Sequence, residues 1–359
     1  MAFVIAAQRS AVVPWNGAFA RLSIEDLGAP VLLACLAAAG VEPGQVDEVI
    51  LSNALGAGGN PARRVALAAG LPDCVAGLTI DRQCAGGLDA ILLARALVDS
   101  GAANVVLAGG VESYSRRPVR LATDPDGAPP VAYDEAPFTP WPDRDPRMAD
   151  AADALALRLG ISRAAQDAWA MDSHRKALTA DHSAEITVLN GVARDVFARL
   201  LTPALAARAR VIIGSITVAT AAVAADGAAF VLVVSDRHVA RTTRALRIVA
   251  GATLGADPEQ PGLAPVAAIR AVWNGSPLAM AEVMEAYAAQ AIAVIGATSI
   301  NPAIVNPGGG GLARGHPVGA SGAILAVRLF HGLHQGQGLA AIAAAGGLGT
   351  ALLVEASGA

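Results

Sequence analysis

An α/β fold built twice over, with a long insertion in its first half, is what this 359-residue sequence predicts. Three observations carry that expectation. Strand-like and helix-like runs alternate at both ends of the chain, which predicts a mainly parallel sheet with helices on both faces. The stretch after Cys84, AGGLDAILLARAL, reads as a copy of the stretch after His316, PVGASGAILAVRLF: ILLAR at 91–95 is matched by ILAVR at 324–328, and an AGG tripeptide follows each. Between residues 116 and 225 the alternation stops, so this block reads as an insertion capping the core.

Each element has its local reason. The apolar run 3–7 predicts the first strand. For 23–39, Ser23 with Asp26 three residues on resembles a helix capping box, and Gly40 supplies the stop. EVILSNAL at 48–55 is the next strand, running into a Gly-rich turn, and 61–69 is a short helix ending at Gly70. LTIDRQ at 78–83 leads to Cys84, then a helix to about Ser100, then the strand NVVLAGG. Pro and Asp crowd 116–147, an irregular excursion. Helices follow over 148–159 and 162–180, the second opened by Ser162. From 245 the alternation resumes: strand RIVAGATLG, helix 265–272, short helix 280–289, strand AIVNP, the glycine run 308–311, His316 with its helix, and the closing strand TALLVE.

Composition excludes several classes. Ala and Gly dominate and aromatics are scarce, which suits close helix–helix and helix–sheet packing. A formal net charge of −4 gives no basic footprint for nucleic acid or an anionic membrane. Three cysteines in this length are no disulfide framework. MAFVIAAQRS has no basic leader before its apolar run, and the Ala-rich stretches are interrupted before they could span a bilayer. The expectation is a soluble protein of the reducing cytoplasm.

Cys84 follows a strand and precedes Gly86 and Gly87 at a helix start. Unpaired N–H groups there favour negative charge, which predicts a lowered thiol pKa and a nucleophile. The other reading is a small buried hydrophobe, the role expected of Cys35, while Cys74 is expected to be inert. His316 sits on a Gly-rich turn with Pro317 next, where an imidazole can be aimed rigidly. If a pseudo-twofold axis brings the two helix starts face to face, thiol and imidazole meet, as nucleophilic thiol catalysis requires. His174, His182, His331 and His334 read as solvated helix-surface residues. His331/His334 lacks a third ligand, so no metal is expected. GGGGLARG and AGGLGT lack a P-loop lysine and dinucleotide spacing.

Along nearly its whole length the chain resembles the thiolase family. FVIAAQRS resembles that family's first strand, DRQCAGGLDAI its nucleophile motif, GGVESYS the segment after the following strand, and GLARGHPVGASGA its histidine motif. RMADAADALALRLGISRAAQDAWAMDSHRKA resembles the start of the family's inserted loop domain and DGAAFVLVVS its return strand, while MEAYAAQ and AAGGLGTALLVE match two C-terminal motifs imperfectly. The resemblance implies a five-layered α/β/α/β/α fold. Its N-terminal half would be 1–115 with 226–240, its loop domain 116–225 and its C-terminal half 241–359. It also implies homodimers or homotetramers, no permanently bound cofactor, and a coenzyme A thioester as substrate. Cys84 would attack an acyl-CoA while His316 takes its proton. The backbone N–H groups of Cys84 and Ala345 would hold the oxyanion, with Met148, Tyr287, Met284, Ala222 and Ala343 around the substrate.

Three of those positions depart from the family pattern. Met284 stands where the family has an Asn that anchors an oxyanion-hole water, Ala343 where it has a second, acid/base cysteine, and Ala222 where it has a pantetheine-loop serine. His316, Glu112, Tyr287 and Glu285 are the candidates to replace the missing base. The expected activity is acyl-enzyme formation on Cys84 with Claisen condensation or thiolysis. The alternatives are acyl transfer or hydrolysis without Claisen chemistry, and a non-catalytic subunit.

Overall fold

The computed structural model describes residues 1–239 and 244–356; the expected boundary between halves, at 240/241, lies outside the described residues. Strands β1 (Ala2–Ser10), β2 (Glu48–Ser52), β3 (Ala76–Ile80) and β4 (Val105–Glu112) open the chain, separated by helices α1 (Ile24–Ala39), α2 (Pro61–Ala68) and α3 (Gly86–Asp99). The chain then leaves the sheet. It forms a small hairpin, β5 (Arg120–Ala122) with β6 (Val131–Tyr133), then α4 (Met148–Leu159) and α5 (Arg163–Thr179), and returns as β7 (Ala225–Ser235). The last third runs β8 (Leu246–Gly255), α6 (Pro265–Val272), β9 (Leu278–Val283), α7 (Ala288–Thr298), α8 (Val318–Gly332), β10 (Gly336–Ala344) and β11 (Leu348–Ala356).

The strand order, β9-β10-β11-β8-β1-β7-β4-β2-β3, contains the duplication. Outward from the centre, each half presents its first strand, its last, the one before that, and its second. The halves join by a short antiparallel contact, Phe3 opposite Arg247 and Val4 opposite Leu246. Alternating side chains sort into three cores. Leu107, Phe230 and Leu232 face α1 and α2, while Leu339, Ala341 and Leu353 face α6 and α7. Val106, Val231, Ile342 and Leu352 face inward onto α3 and α8, which lie between the two half-sheets. Five layers result, as the family resemblance implies.

The two central helices touch through backbone. A methyl carbon built at Gly87 would lie 2.5 Å from Ala323 N, and one at Gly322 would lie 2.5 Å from Leu88 N. Only glycine permits that approach.

Local signals held where caps set them. Ser23 and Asp26 form the capping box of α1, Gly40 ends it at φ 63°, and Ser162 caps α5. Other expectations are corrected. The sheet is not mainly parallel: β7 inserts between β1 and β4, antiparallel to both, and β11 is antiparallel to β8 and β10. Parallel pairing is confined mainly to β2 with β3 and β4, and to β9 with β10. The helix expected over 280–289 does not form: of these residues only Ala288 and Ala289 are helical, as the start of α7. Met280–Val283 pair with 338–341 of β10, so tertiary pairing overrides the helix propensity of Met, Ala and Glu. AIVNP is no strand either: Pro302–Ile304 is a single 3₁₀ turn, and only Val305 bridges to Ala281. Prolines 302 and 307, which lack an N–H, bracket it.

Candidate active site

Cys84 is presented by a sharp turn. Gln83, just before it, takes a left-handed backbone (φ 49°), and Asp81 holds that turn by accepting the Gln83 N–H at 2.8 Å. Such a conformation costs on the order of 1–3 kcal/mol in a non-glycine residue. The turn places Cys84 two residues before α3, half-buried and facing a cavity of about 410 Å³.

His316 reaches the same cavity from the other half. Its backbone N–H donates to Val223 O at 2.7 Å, pinning it to the extended segment that precedes β7. Its Nε2 lies 3.0 Å from Cys84 Sγ, and its Nδ1 lies 2.6 Å from Ser321 Oγ. Ser321 Oγ also lies 3.3 Å from Pro317 O; with its proton directed there, the hydroxyl accepts from Nδ1–H. That arrangement leaves the Nε2 lone pair free to accept the thiol proton. Ser321, five residues after His316 in GASG, was absent from the sequence reading. A hydroxyl on the first turn of the histidine's helix was the available signal.

The pair rests neutral. Burial, with smaller contributions from the Glu112 and Asp81 charges, pushes the Cys84 thiol up to about 12, and burial brings His316 down to about 4. This corrects the expected lowering of the thiol pKa: desolvation outweighs the N–H groups of the α3 start. A neutral thiol facing a neutral imidazole has the arrangement a base-activated nucleophile requires, and is not a stored thiolate.

One carboxylate ties the two halves together behind this pair. Glu112, at the end of β4, accepts from Asn53 Nδ2 (2.7 Å), Ala54 N (3.0 Å) and Leu55 N (3.2 Å) on one side, and from Gly319 N (2.9 Å) at the start of α8 on the other. These bonds end β2 at Ser52, short of the expected Leu55. Burial pushes Glu112 up to about 7 against the pull of those donors.

Ala345, Met148, Tyr287, Ala222 and Ala343 all line the cavity with Cys84 and His316. Met284 does not. It is 2 % exposed and packs in the central core, its thioether against the backbone at Gly311. Among the candidate replacement bases, Glu112 and Glu285 are both buried off the cavity wall. Glu285 accepts from Trp169 Nε1, Ser173 Oγ, Asn306 Nδ2 and Leu312 N. Tyr287 does reach the cavity, with its phenol pushed up to about 12 by burial and then by the nearby Glu135 and Cys84. Asp81, Arg120, Asp134 and Glu135 at the rim were also absent from the sequence reading.

The remaining histidines are not all solvated. His174 is buried against Phe197, and His182 lies within hydrogen-bond reach of Arg328 and Gly308 O. Among the described residues no group of His, Cys, Asp or Glu could hold a metal ion, and no helix is long and apolar enough to cross a membrane.

Comparison with known proteins agrees with this architecture. The profile of the thiolase N-terminal domain matches residues 2–237, and that of the thiolase C-terminal domain matches residues 242–356. The acetyl-CoA acetyltransferase of Cupriavidus necator is 35% identical, with 98% of each chain covered. That of Shinella zoogloeoides is also 35% identical, again with 98% of each covered. The crystal structure of the Bacillus anthracis acetyl-CoA acetyltransferase superposes with a TM-score of 0.91 at 33% identity, covering 99% of this chain and 98% of that one.

Proposed function

The chain belongs to the thiolase family, and we propose that it forms an acyl-enzyme on Cys84 from an acyl-CoA or 3-ketoacyl-CoA thioester. The observation that carries this reading is the 3.0 Å approach of Cys84 Sγ to His316 Nε2. The thiol proton passes to Nε2 as sulfur attacks the thioester carbonyl of an acyl-CoA or the 3-keto carbonyl of a 3-ketoacyl-CoA. The backbone N–H groups of Cys84 and Ala345 receive the developing oxyanion. From an acyl-CoA, collapse breaks the carbon–sulfur bond to coenzyme A, whose thiolate takes the proton back from His316; from a 3-ketoacyl-CoA it breaks the C2–C3 bond, and the departing acetyl-CoA enolate takes the proton at carbon. Ser321 holds the imidazole in the tautomer this exchange needs.

The second half of the reaction is Claisen condensation with a second thioester, which loses an α-proton and displaces the Cys84 sulfur, or, in the degradative direction, thiolysis by the thiol of free coenzyme A, as an acetyl-CoA acetyltransferase performs. Homo-oligomers, a loop domain at 116–225 flanked by halves 1–115 with 226–240 and 241–359, and coenzyme A as substrate and not as resident cofactor belong to the same reading. Incubation with acetyl-CoA and with acetoacetyl-CoA, followed by intact-mass analysis, tests it: the expected result is an acetyl adduct that maps to Cys84. A protein that stays unmodified by thioesters of every chain length refutes it.

A second reading has its own observation. Ala343 lines the cavity where the family pattern has its acid/base cysteine, and Met284 is buried away from it. Acylation needs neither. Turnover of the adduct to free acid, ester or amide, with no 3-ketoacyl product, would select acyl transfer without Claisen chemistry.

A further inference from the structure

One polar group on the cavity wall has no role in the chemistry above. Gln290, on the first turn of α7, lines the cavity and is 3 % exposed. Its Oε1 accepts the Ala286 N–H at 3.2 Å, which fixes the orientation of the amide, and its Nε2 donates to nothing among the described residues. A buried NH₂ without an acceptor is a standing desolvation cost, and such groups in native proteins have a reason. The neighbouring walls supply no partner: Met148, Ala151, Ala152, Pro261 and Gly262 carry no side-chain oxygen. Gly262 sits between α4 and Gln290, since a methyl carbon built there would lie 2.8 Å from Leu155 Cδ2 and 3.5 Å from Gln290 Cγ. The same cavity that opens on Cys84 therefore has an apolar lobe with an unpaired amide in its wall.

We infer that the acyl group carried by this protein is longer than acetyl and bears a neutral oxygen acceptor, a carbonyl or hydroxyl, that meets the Gln290 amide. The aliphatic segment between thioester and oxygen lies against Met148, Ala151 and Ala152, each buried methylene being worth about fourfold in selectivity. The distal oxygen accepts from Nε2, closing the one open valence of the lobe. A carboxylate is the poorer match, because the rim already carries Asp81, Asp134 and Glu135 against Arg120.

This inference rests on the acyl-enzyme reading, and the test separates the two. The full chain is incubated with pentanoyl-, 4-oxopentanoyl-, hexanoyl-, 5-oxohexanoyl- and adipyl-CoA, and the rate of Cys84 acylation is followed by intact mass. At one chain length or both, the oxo thioester should outpace its alkyl partner by about tenfold. In Gln290→Met, which keeps length and bulk but removes the donor, that ratio should fall to about twofold or less. Alkyl thioesters that react as fast as their oxo partners in the wild type overturn the inference while leaving acylation intact, and that comparison needs no variant. An oxo advantage that survives Gln290→Met, or adipyl-CoA outrunning 5-oxohexanoyl-CoA, overturns it as well. If none of the five labels Cys84 while acetyl-CoA does, this inference falls and the acyl-enzyme reading stands; if acetyl-CoA fails as well, both fall.

Discussion

Two pairs of residues bear on the same chamber, and they are equipped very differently. Cys84 and His316 come from opposite halves, meet at 3.0 Å, and are each braced: the thiol by the Asp81-held turn, the imidazole by Ser321 and Val223. Ala343 and Met284, where the family pattern has a proton-transfer cysteine and a water-anchoring asparagine, offer a methyl group on the wall and a thioether behind it. On the proposed reading, taking up an acyl group and making or breaking a carbon–carbon bond would depend on separable sets of atoms. One set can stay intact while the other is dismantled.

Substitutions can break or sharpen that contrast. Cys84→Ala removes the nucleophile, and the acyl adduct should vanish from the mass spectrum altogether. His316→Asn keeps a polar side chain but no base of useful strength; single-turnover acylation should slow by about 10²–10⁴. On the depleted side, Ala343→Cys restores a group able to move a proton. Condensation or thiolysis, assayed by 3-ketoacyl-CoA absorbance, should rise by about 10² relative to acylation. No rise would mean that some other residue, His316 and Tyr287 being the candidates that line the cavity, already supplies the proton transfer. Ser321→Ala frees the imidazole without removing it, and acylation should fall by about tenfold while substrate KM changes little.

The smallest expected effect is a flat line. With the thiol near 12 and the imidazole near 4, the working pair is neutral thiol with neutral imidazole, and it is lost only when acid protonates Nε2 or strong base ionises the sulfur. Acylation should vary little from about pH 5 to about pH 9, and iodoacetamide should label Cys84 slowly across that span. Fast labelling at pH 6 would reveal a thiolate–imidazolium pair instead.

Much of this was legible in the sequence. Cys84 and His316 stood out because each sits just ahead of a helix, and the matched ILLAR and ILAVR runs signalled that the two helices are related. Capping chemistry fixed α1 and α5 because a cap is local. What stayed hidden depends on partners distant in sequence. Met280–Val283 look helical until β10 is beside them. The antiparallel return strand β7 becomes a neighbour of β1 only through a pairing across more than two hundred residues. The fate of Met284 was decided by a sheet edge the pattern could not show, and the unpaired state of Gln290 by walls built from three separate segments.

The glycine seam between α3 and α8 has a consequence for tolerance to change. Where main chain rests on main chain, the spacing is set by peptide geometry, which every L-polypeptide shares, and not by side chains that drift. Substitutions elsewhere in the core can swell or shrink the outer layers and leave the gap between sulfur and imidazole untouched. A single added methyl at Gly87 or Gly322 would act as a wedge at that seam, opening the reactive gap from a position that touches no substrate.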